Sequence, residues 1–338
     1  MDRFTLLSSL LAALLLTACT AVDPPAPATS AQADGSPNTR VVTLTYGDDD
    51  AHRLDLHTPL VAASEPMPTV VLAHGGLWRT GKRAELSVLC DHVVVESGGT
   101  MACATVDYRL SGDLGGTCDP PGAATYHHQL TDLASAFAFL QGHAAEYHLD
   151  PSAMALGGHS AGGHLSHILN LRWDDFAQPC DASTCPPPVA AIGFEGIYDI
   201  AAWDAYDASF WEGQFRCATL QAFGAPPGES SPCVDTALDM PCWEAGSVTH
   251  LAQRAAELQL APVGDALIIH SPGDTWVDIA EATTFGEAMA AAFPSARVVT
   301  SIDGSCGTGQ HNDPLTQTAL ASCIVDFVDT SPARTTLD

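Results

Sequence analysis

"MALGGHSAGGHL", residues 154–165, is the stretch whose reading decides the fold. The apolar run Met154-Ala155-Leu156 passes directly into Gly157-Gly158-His159-Ser160-Ala161-Gly162-Gly163. A strand that ends in Gly-His-Ser-Ala-Gly and turns at once into a helix is either a tight packing corner or the seat of a nucleophile. Gly158 and Gly162 leave room for a strained strand-to-helix turn, and the helix that starts there aims free N–H groups at developing negative charge. A serine alone is a weak nucleophile: it requires a base in contact and an acid that fixes the base's tautomer. What the rest of the chain sets beside Ser160 therefore separates the two readings.

Outward from this turn, strand and helix patterns alternate. On its N-terminal side, VVTLTY (41–46) and RLDLHT (53–58) flank the Asp-rich turn GDDDAH and read as an antiparallel hairpin. TVVLAH (69–74) is apolar almost throughout, as in a strand covered on both faces. Helix-like RAELSVLCDHVVVESG and strand-like MACATVDYRL follow, then a long helix over about 125–147 with Leu130, Leu133, Phe137 and Leu140 on one face. On its C-terminal side come a helix to about Arg172 and the strand VAAIGF (189–194). DALIIH (265–270), DIAEATTFGEAMAAAF, ARVVTSI (296–302) and PLTQTALASCIVDFVD complete a strand, helix, strand, helix series. This alternation predicts an α/β fold, a mostly parallel sheet flanked by helices, over residues 40–330. Residues 200–262 interrupt it with tryptophans, cysteines and prolines, and predict an irregular, disulfide-rich lid insertion.

In an open parallel sheet, ligands bind outside the carboxyl ends of the strands. Ser160 follows one strand, His74-Gly75-Gly76-Leu77-Trp78 a second, Asp274 a third, and His311 lies in the loop after a fourth. Of the fourteen histidines, His311 alone follows the candidate acids in 265–280, as a Ser, acid, His series requires. Asp274 in HSPGDTWVD is the preferred acid. Asp278 precedes a predicted helix and reads as its cap, and Glu195 at the end of the 189–194 strand is a third choice. The His-Gly-Gly loop resembles the oxyanion loop of lipases and esterases, with N–H donors on Gly76, Leu77 and Ala161. Trp78 and His159 are expected to line the substrate pocket. His164 and His167 read as packing, and Tyr108 and Arg109 as braces behind the site.

His74 to Trp78, Val106-Asp107-Tyr108-Arg109-Leu110, Gly158 to Leu165, Gly196-Ile197-Tyr198-Asp199 and the Asp274 and His311 loops together resemble the α/β-hydrolase superfamily. Within it they look closest to the esterase branch containing kynurenine formamidases and hormone-sensitive-lipase-like carboxylesterases. The resemblance implies a serine hydrolase acting on a small acyl ester through an acyl-enzyme, with Ser160, Asp274 and His311 catalytic and no cofactor. Arylformamide hydrolysis is the alternative substrate reading, and a non-catalytic binding lipoprotein on the same fold is the alternative of another class. Leu77 in place of a third glycine, the GSCGTGQ before His311 and the insertion depart from the pattern and leave the substrate class open.

The first residues, MDRFTLLSSLLAALLLTACTA, read as an export signal over 1–18. They are similar to a bacterial lipoprotein signal, which makes Cys19 the lipidated residue, residues 19–39 a flexible tether, and the cell envelope the expected location. Membrane contact is then through the N-terminal lipid only. A net charge of −28, with one lysine against eleven arginines, speaks against a nucleic-acid partner. Eleven cysteines minus Cys19 leave an even number in an exported chain, so disulfides are expected. Cys306 with Cys323, Cys180 with Cys185, and Cys233 with Cys242 are plausible pairs, though spacing does not fix connectivity. No Cys-x-x-Cys or His-Glu-x-x-His motif suggests a metal, and Asp48-Asp49-Asp50 lacks the spaced ligands of a calcium loop.

Overall fold

The computed structural model of the chain describes residues 39–112, 124–177, 186–200, 212–224 and 233–331. The predicted signal, Cys19 and the body of the tether lie outside the described residues, as do Cys180 and Cys185. Thr39, expected to end the tether, already opens the first strand.

The hairpin forms as predicted. β1 (Thr39–Thr45) and β2 (Arg53–Pro59) pair antiparallel, with Leu44 opposite Leu54 and Val42 opposite Leu56. β3 (Met67–Ala73), α1 (Ser87–Glu96), β4 (Ala102–Val106), α2 (Tyr126–Gly142), the short α3 (Ala144–Tyr147), β5 (Leu149–His159) and α4 (Ala161–Phe176) follow in alternation. The expected stop of α4 at Arg172 becomes a kink there, with φ −133°, and the helix continues to Phe176.

β6 (Ala190–Phe194) returns to the sheet, and the insertion proves more helical than its prolines suggest. It carries α5 (Glu212–Phe223), the two-residue strands β7 (Val234–Asp235) and β8 (Met240–Pro241), α6 (Cys242–Ala245), α7 (Val248–Gln253) and α8 (Ala255–Leu258). β9 (Asp265–Ile269), α9 (Ala280–Ala292), β10 (Val298–Ser301) and α10 (Thr318–Asp329) complete the chain.

The sheet has eight strands in the order β1-β2-β4-β3-β5-β6-β9-β10, parallel from β4 to β10. This is the α/β-hydrolase arrangement. Both sheet faces are covered, which explains the continuous apolar runs. On β3, Val71 and Ala73 join the core shared with α2, α4, α7 and α9. Val70 and Leu72 face the opposite core, beneath α1 and α10. β3 lies between β4 and β5, so the strand order reverses around it and a crevice opens at the carboxyl ends.

Candidate active site

Ser160 occupies the corner between β5 and α4 with φ 51° and ψ −117°. A positive φ on a non-glycine residue costs on the order of 1–3 kcal/mol, and surrounding structure must enforce it. Here the Ser160 N–H donates to the Phe194 carbonyl at 2.9 Å, and its carbonyl accepts from the His164 N–H at 3.0 Å. The glycines have a different task from the one their flexibility suggests. A Cβ on Gly158 would lie 2.5 Å from the Ala73 oxygen, and one on Gly162 would collide with the same carbonyl. They let the start of α4 touch the end of β3, while the strain falls on the serine itself.

The end of β3 turns through three successive left-handed residues, Gly76 (φ 105°), Leu77 (56°) and Trp78 (60°). The Gly76 carbonyl is tied down by the N–H groups of Arg79 and Thr80. Among the described residues, the N–H groups of Gly76, Leu77 and Ala161 have no main-chain acceptor, so all three are free to receive an anion.

The expected pocket role of Trp78 is corrected. The left-handed turn throws the indole inward, where it is fully buried between His164 and Phe223 and does not reach the cavity. Its Nε1–H donates to His164 Nδ1 at 3.2 Å, and its carbonyl accepts from the Ser111 N–H and hydroxyl and from Gln129 Nε2. Trp78 thus anchors the loop that carries the Gly76 and Leu77 N–H groups. Tyr108 supports the same loop, its ring stacked on His74 and its hydroxyl donating to the His74 carbonyl. Arg109 instead pairs with Asp132 of α2.

Asp274 meets His311. The His311 Nδ1–H donates to Asp274 Oδ2 at 2.7 Å, while Oδ1 accepts the N–H groups of Trp276 and Val277. Burial opposes ionisation of Asp274, but His270 Nε2, 3.4 Å away, and the hydrogen bond from His311 outweigh it and hold the carboxyl far below the usual carboxylate range. Asp278 stands elsewhere, accepting the Ala280 N–H at the start of α9.

The two loops bearing the pair are knitted together. Ser271 Oγ donates to the Gly309 carbonyl at 2.8 Å, Thr275 to Gln310 Oε1, and Cys306–Cys323 links the His311 loop to α10. Cys233–Cys242 also forms, and Cys90–Cys103 is a bridge that spacing did not suggest.

A cavity of about 170 Å³ collects Gly76, Leu77, His159, Ser160 and His311. Phe215 of α5, Trp276 and Val277 contribute apolar walls that the motifs do not announce. The His159 Nε2–H donates to the His311 carbonyl at 3.0 Å. Burial, and then the neighbouring His311, push its pKa well below the ordinary histidine value, so the ring stays neutral. His164, lowered to about 4 by burial, is neutral too, with one ring nitrogen accepting from Trp78 and the other donating to Gly246.

Glu195 is not against His311. It lies behind Asp274, fully buried, where its carboxyl and His270 Nε2 approach Asp274. Among the described residues this is the one cluster of His, Cys, Asp and Glu close enough to surround a cation. Yet His270 Nε2 lies 3.1 Å from the Val277 carbonyl, so that nitrogen carries a proton and has no lone pair to offer a metal. Burial, with Asp274 adding to it, pushes the Glu195 carboxyl up to about 9.

The arrangement suits acyl transfer: a strained serine and an acid-linked histidine share one cavity with free N–H donors at its edge. A match to the BD-FAE family model extends over residues 54–236, more than half of the chain and including Ser160. The chain belongs to the BD-FAE family. Asp274 and His311 lie beyond the BD-FAE match, so their placement rests on geometry.

The "Probable carboxylic ester hydrolase LipM" of Mycobacterium tuberculosis is 31% identical over 160 residues, 46% of this chain and 34% of that protein. The chain thus spans about a third of the length of that relative. The "Kynurenine formamidase avaC" of Aspergillus versicolor is 25% identical over 279 residues, covering 78% of this chain and 89% of that protein. Among solved structures, a truncated carbohydrate esterase from gut microbiota aligns with TM-score 0.63 and 16% identity over 88% of this chain and 98% of that one. An esterase of Thermogutta terrifontis aligns at 0.58 and 21%, over 87% and 92%. These structural likenesses concern the fold.

Proposed function

We propose that the protein is a serine hydrolase that cleaves carboxylic esters of short acyl groups. The observation that carries this reading is the His311–Asp274 hydrogen bond opening onto the cavity that also holds Ser160. Ser160 attacks the acyl carbonyl, and His311 takes its proton and returns it to the departing alcohol. Asp274 fixes the His311 tautomer, and the N–H groups of Gly76 and Ala161, with Leu77 in reach, receive the oxyanion. Water then cleaves the acyl-enzyme by the same route. A cavity of about 170 Å³ is small beside ordinary ligand pockets, which favours a short acyl group.

The likeness to a kynurenine formamidase over most of both chains supports a second substrate reading, an arylformamide. Both readings predict that a fluorophosphonate probe labels the native protein and fails to label Ser160→Ala, whose turnover of p-nitrophenyl acetate drops by roughly 10⁴-fold or more. An unlabelled native protein would leave a binding lipoprotein as the better account. N-formylkynurenine turned over faster than any short ester would reverse the order of substrates. We also propose lipidation at Cys19: Cys19→Ser should move the protein from the membrane fraction to the soluble one, and unchanged partitioning would refute the anchor.

A further inference from the structure

Behind Asp274 lies a second carboxyl that ester cleavage by Ser160, His311 and Asp274 does not require. Glu195 ends β6 in a left-handed turn, φ 55°, with its N–H donating to the Ile269 carbonyl of β9 at 3.0 Å. That turn sends its side chain beneath the Asp274 loop. Oε1 accepts the Ser271 N–H at 2.9 Å, but Oε2 is buried and receives no hydrogen bond. The neighbouring His270 Nε2–H lies 3.4 Å from Oε2 and is already given to Val277.

One carboxyl oxygen each of Glu195 and Asp274 lie within 4.8 Å of one another, and two buried carboxylates that close do not both ionise. Asp274 receives N–H groups from His311, Trp276 and Val277, whereas Glu195 receives only that of Ser271. The proton therefore belongs to Glu195, and an O–H on Oε2 removes the orphaned acceptor by giving it a donor's role.

Resting on the serine-hydrolase reading above, we propose that Glu195 is a positioning residue whose protonated carboxyl donates a hydrogen bond to Asp274 and holds that carboxylate in place for His311. A neutral donor steadies Asp274 without adding charge beside it. When Glu195 ionises, the donor is lost and a second anion appears next to Asp274, so turnover declines at alkaline pH. The other groups facing this corner are His159 and His311 from the cavity side, His270 just past β9, Tyr198 from the loop after β6 and Glu281 from α9. Burial keeps the Tyr198 phenol un-ionised far above its ordinary value. Glu281 is occupied by the N–H groups of Tyr198 and Asp199.

The test uses the full chain, Glu195→Gln and Glu195→Ala, with p-nitrophenyl acetate turnover and thermal midpoints followed from pH 5 to 10. Glutamine keeps an acceptor for Ser271 and a neutral donor for Asp274. It should retain kcat within about threefold of the wild type at pH 7 and lose the alkaline decline centred near 9. Alanine should lower kcat by roughly tenfold or more with KM within about twofold, the split expected of a group that positions the machinery.

The folded state also holds a proton that the unfolded chain releases above about 4.5. The stabilisation is full below that pH and is lost as pH rises towards 9. The wild-type midpoint should therefore fall over this window, and that of Glu195→Gln should not. Glutamine as damaging as alanine, an alkaline limb that survives in the glutamine variant, or parallel midpoint curves would each overturn the proposal. Turnover that persists in Ser160→Ala would instead overturn the hydrolase reading, and the midpoint curves would still decide whether Glu195 holds the proton.

Discussion

Ser160 is gripped by main chain on every side: β6 holds its N–H, α4 its carbonyl, and two glycines press the corner against the end of β3. His311 sits in a loop held by side chains and a disulfide, through Asp274, Gly309, Gln310 and Cys306. The nucleophile's half of the site should thus fail when backbone room is taken away. The acid and base half should yield by degrees as its side-chain ties are cut one at a time.

The sharpest way to break this contrast is Gly162→Ala. Its Cβ would collide with the Ala73 carbonyl, and no flexible side chain can move aside. Overpacking a well-filled core costs about 1–3 kcal/mol, and a clash with main chain belongs at or beyond the top of that range. We expect little soluble, folded protein. Gly142→Ala is the control, because nothing lies within 4 Å of the added atom and stability should hold or rise. Equal thermal midpoints for the two variants would show that the corner is looser than its geometry states.

The same contrast explains what the sequence discloses. The elbow and the alternation of strands are legible because their constraints are local: glycines at fixed offsets and apolar runs of strand length. Chain order separates His311 from thirteen other histidines. Sequence alone misplaces Trp78, because nothing in His-Gly-Gly-Leu-Trp announces that Leu77 and Trp78 both adopt positive φ, which turns the indole inward. In the sequence Glu195 is only a third choice of acid, whereas its role depends on β6 lying beside β9 and on a donor that Oε2 lacks, both long-range facts.

The insertion hid its order for a similar reason. α7 packs against α4 and α9, and Asp235 beyond α5 is gripped by Arg172 at the kink of α4, by Tyr126 and by His127. These partners lie about 60 to 110 residues away in sequence, and no local pattern encodes them.

A medium effect is expected where the His311 loop is stapled. Cys306 and Cys323 are 17 residues apart, and closing a loop of that size contributes about 3 kcal/mol. Replacing both by serine should lower unfolding stability by about that amount in a urea titration and reduce kcat several-fold, since His311 lies five residues past Cys306. Full activity in the folded double variant would show that hydrogen bonds from Ser271 and Thr275 are sufficient to place the histidine. The staple would then serve the fold alone.

The smallest effect separates two roles of one residue. Trp276 donates its N–H to Asp274 and lays its indole over His311, ring centroids 5.2 Å apart and planes 25° apart, while the side chain stays partly exposed at the cavity wall. Trp276→Ala keeps the N–H and deletes the ring. A stacked aromatic pair is worth about 0.5–1.5 kcal/mol, which corresponds to a loss of roughly two- to tenfold in kcat/KM. If the ring mainly steadies His311, kcat should fall equally for acetyl and butyryl esters. If it mainly supplies wall, KM should rise, and more for the longer acyl group. No change in either constant would mean that the Asp274 loop positions the histidine through main chain and hydrogen bonds alone, and the two halves of the site would then be more alike than their contacts imply.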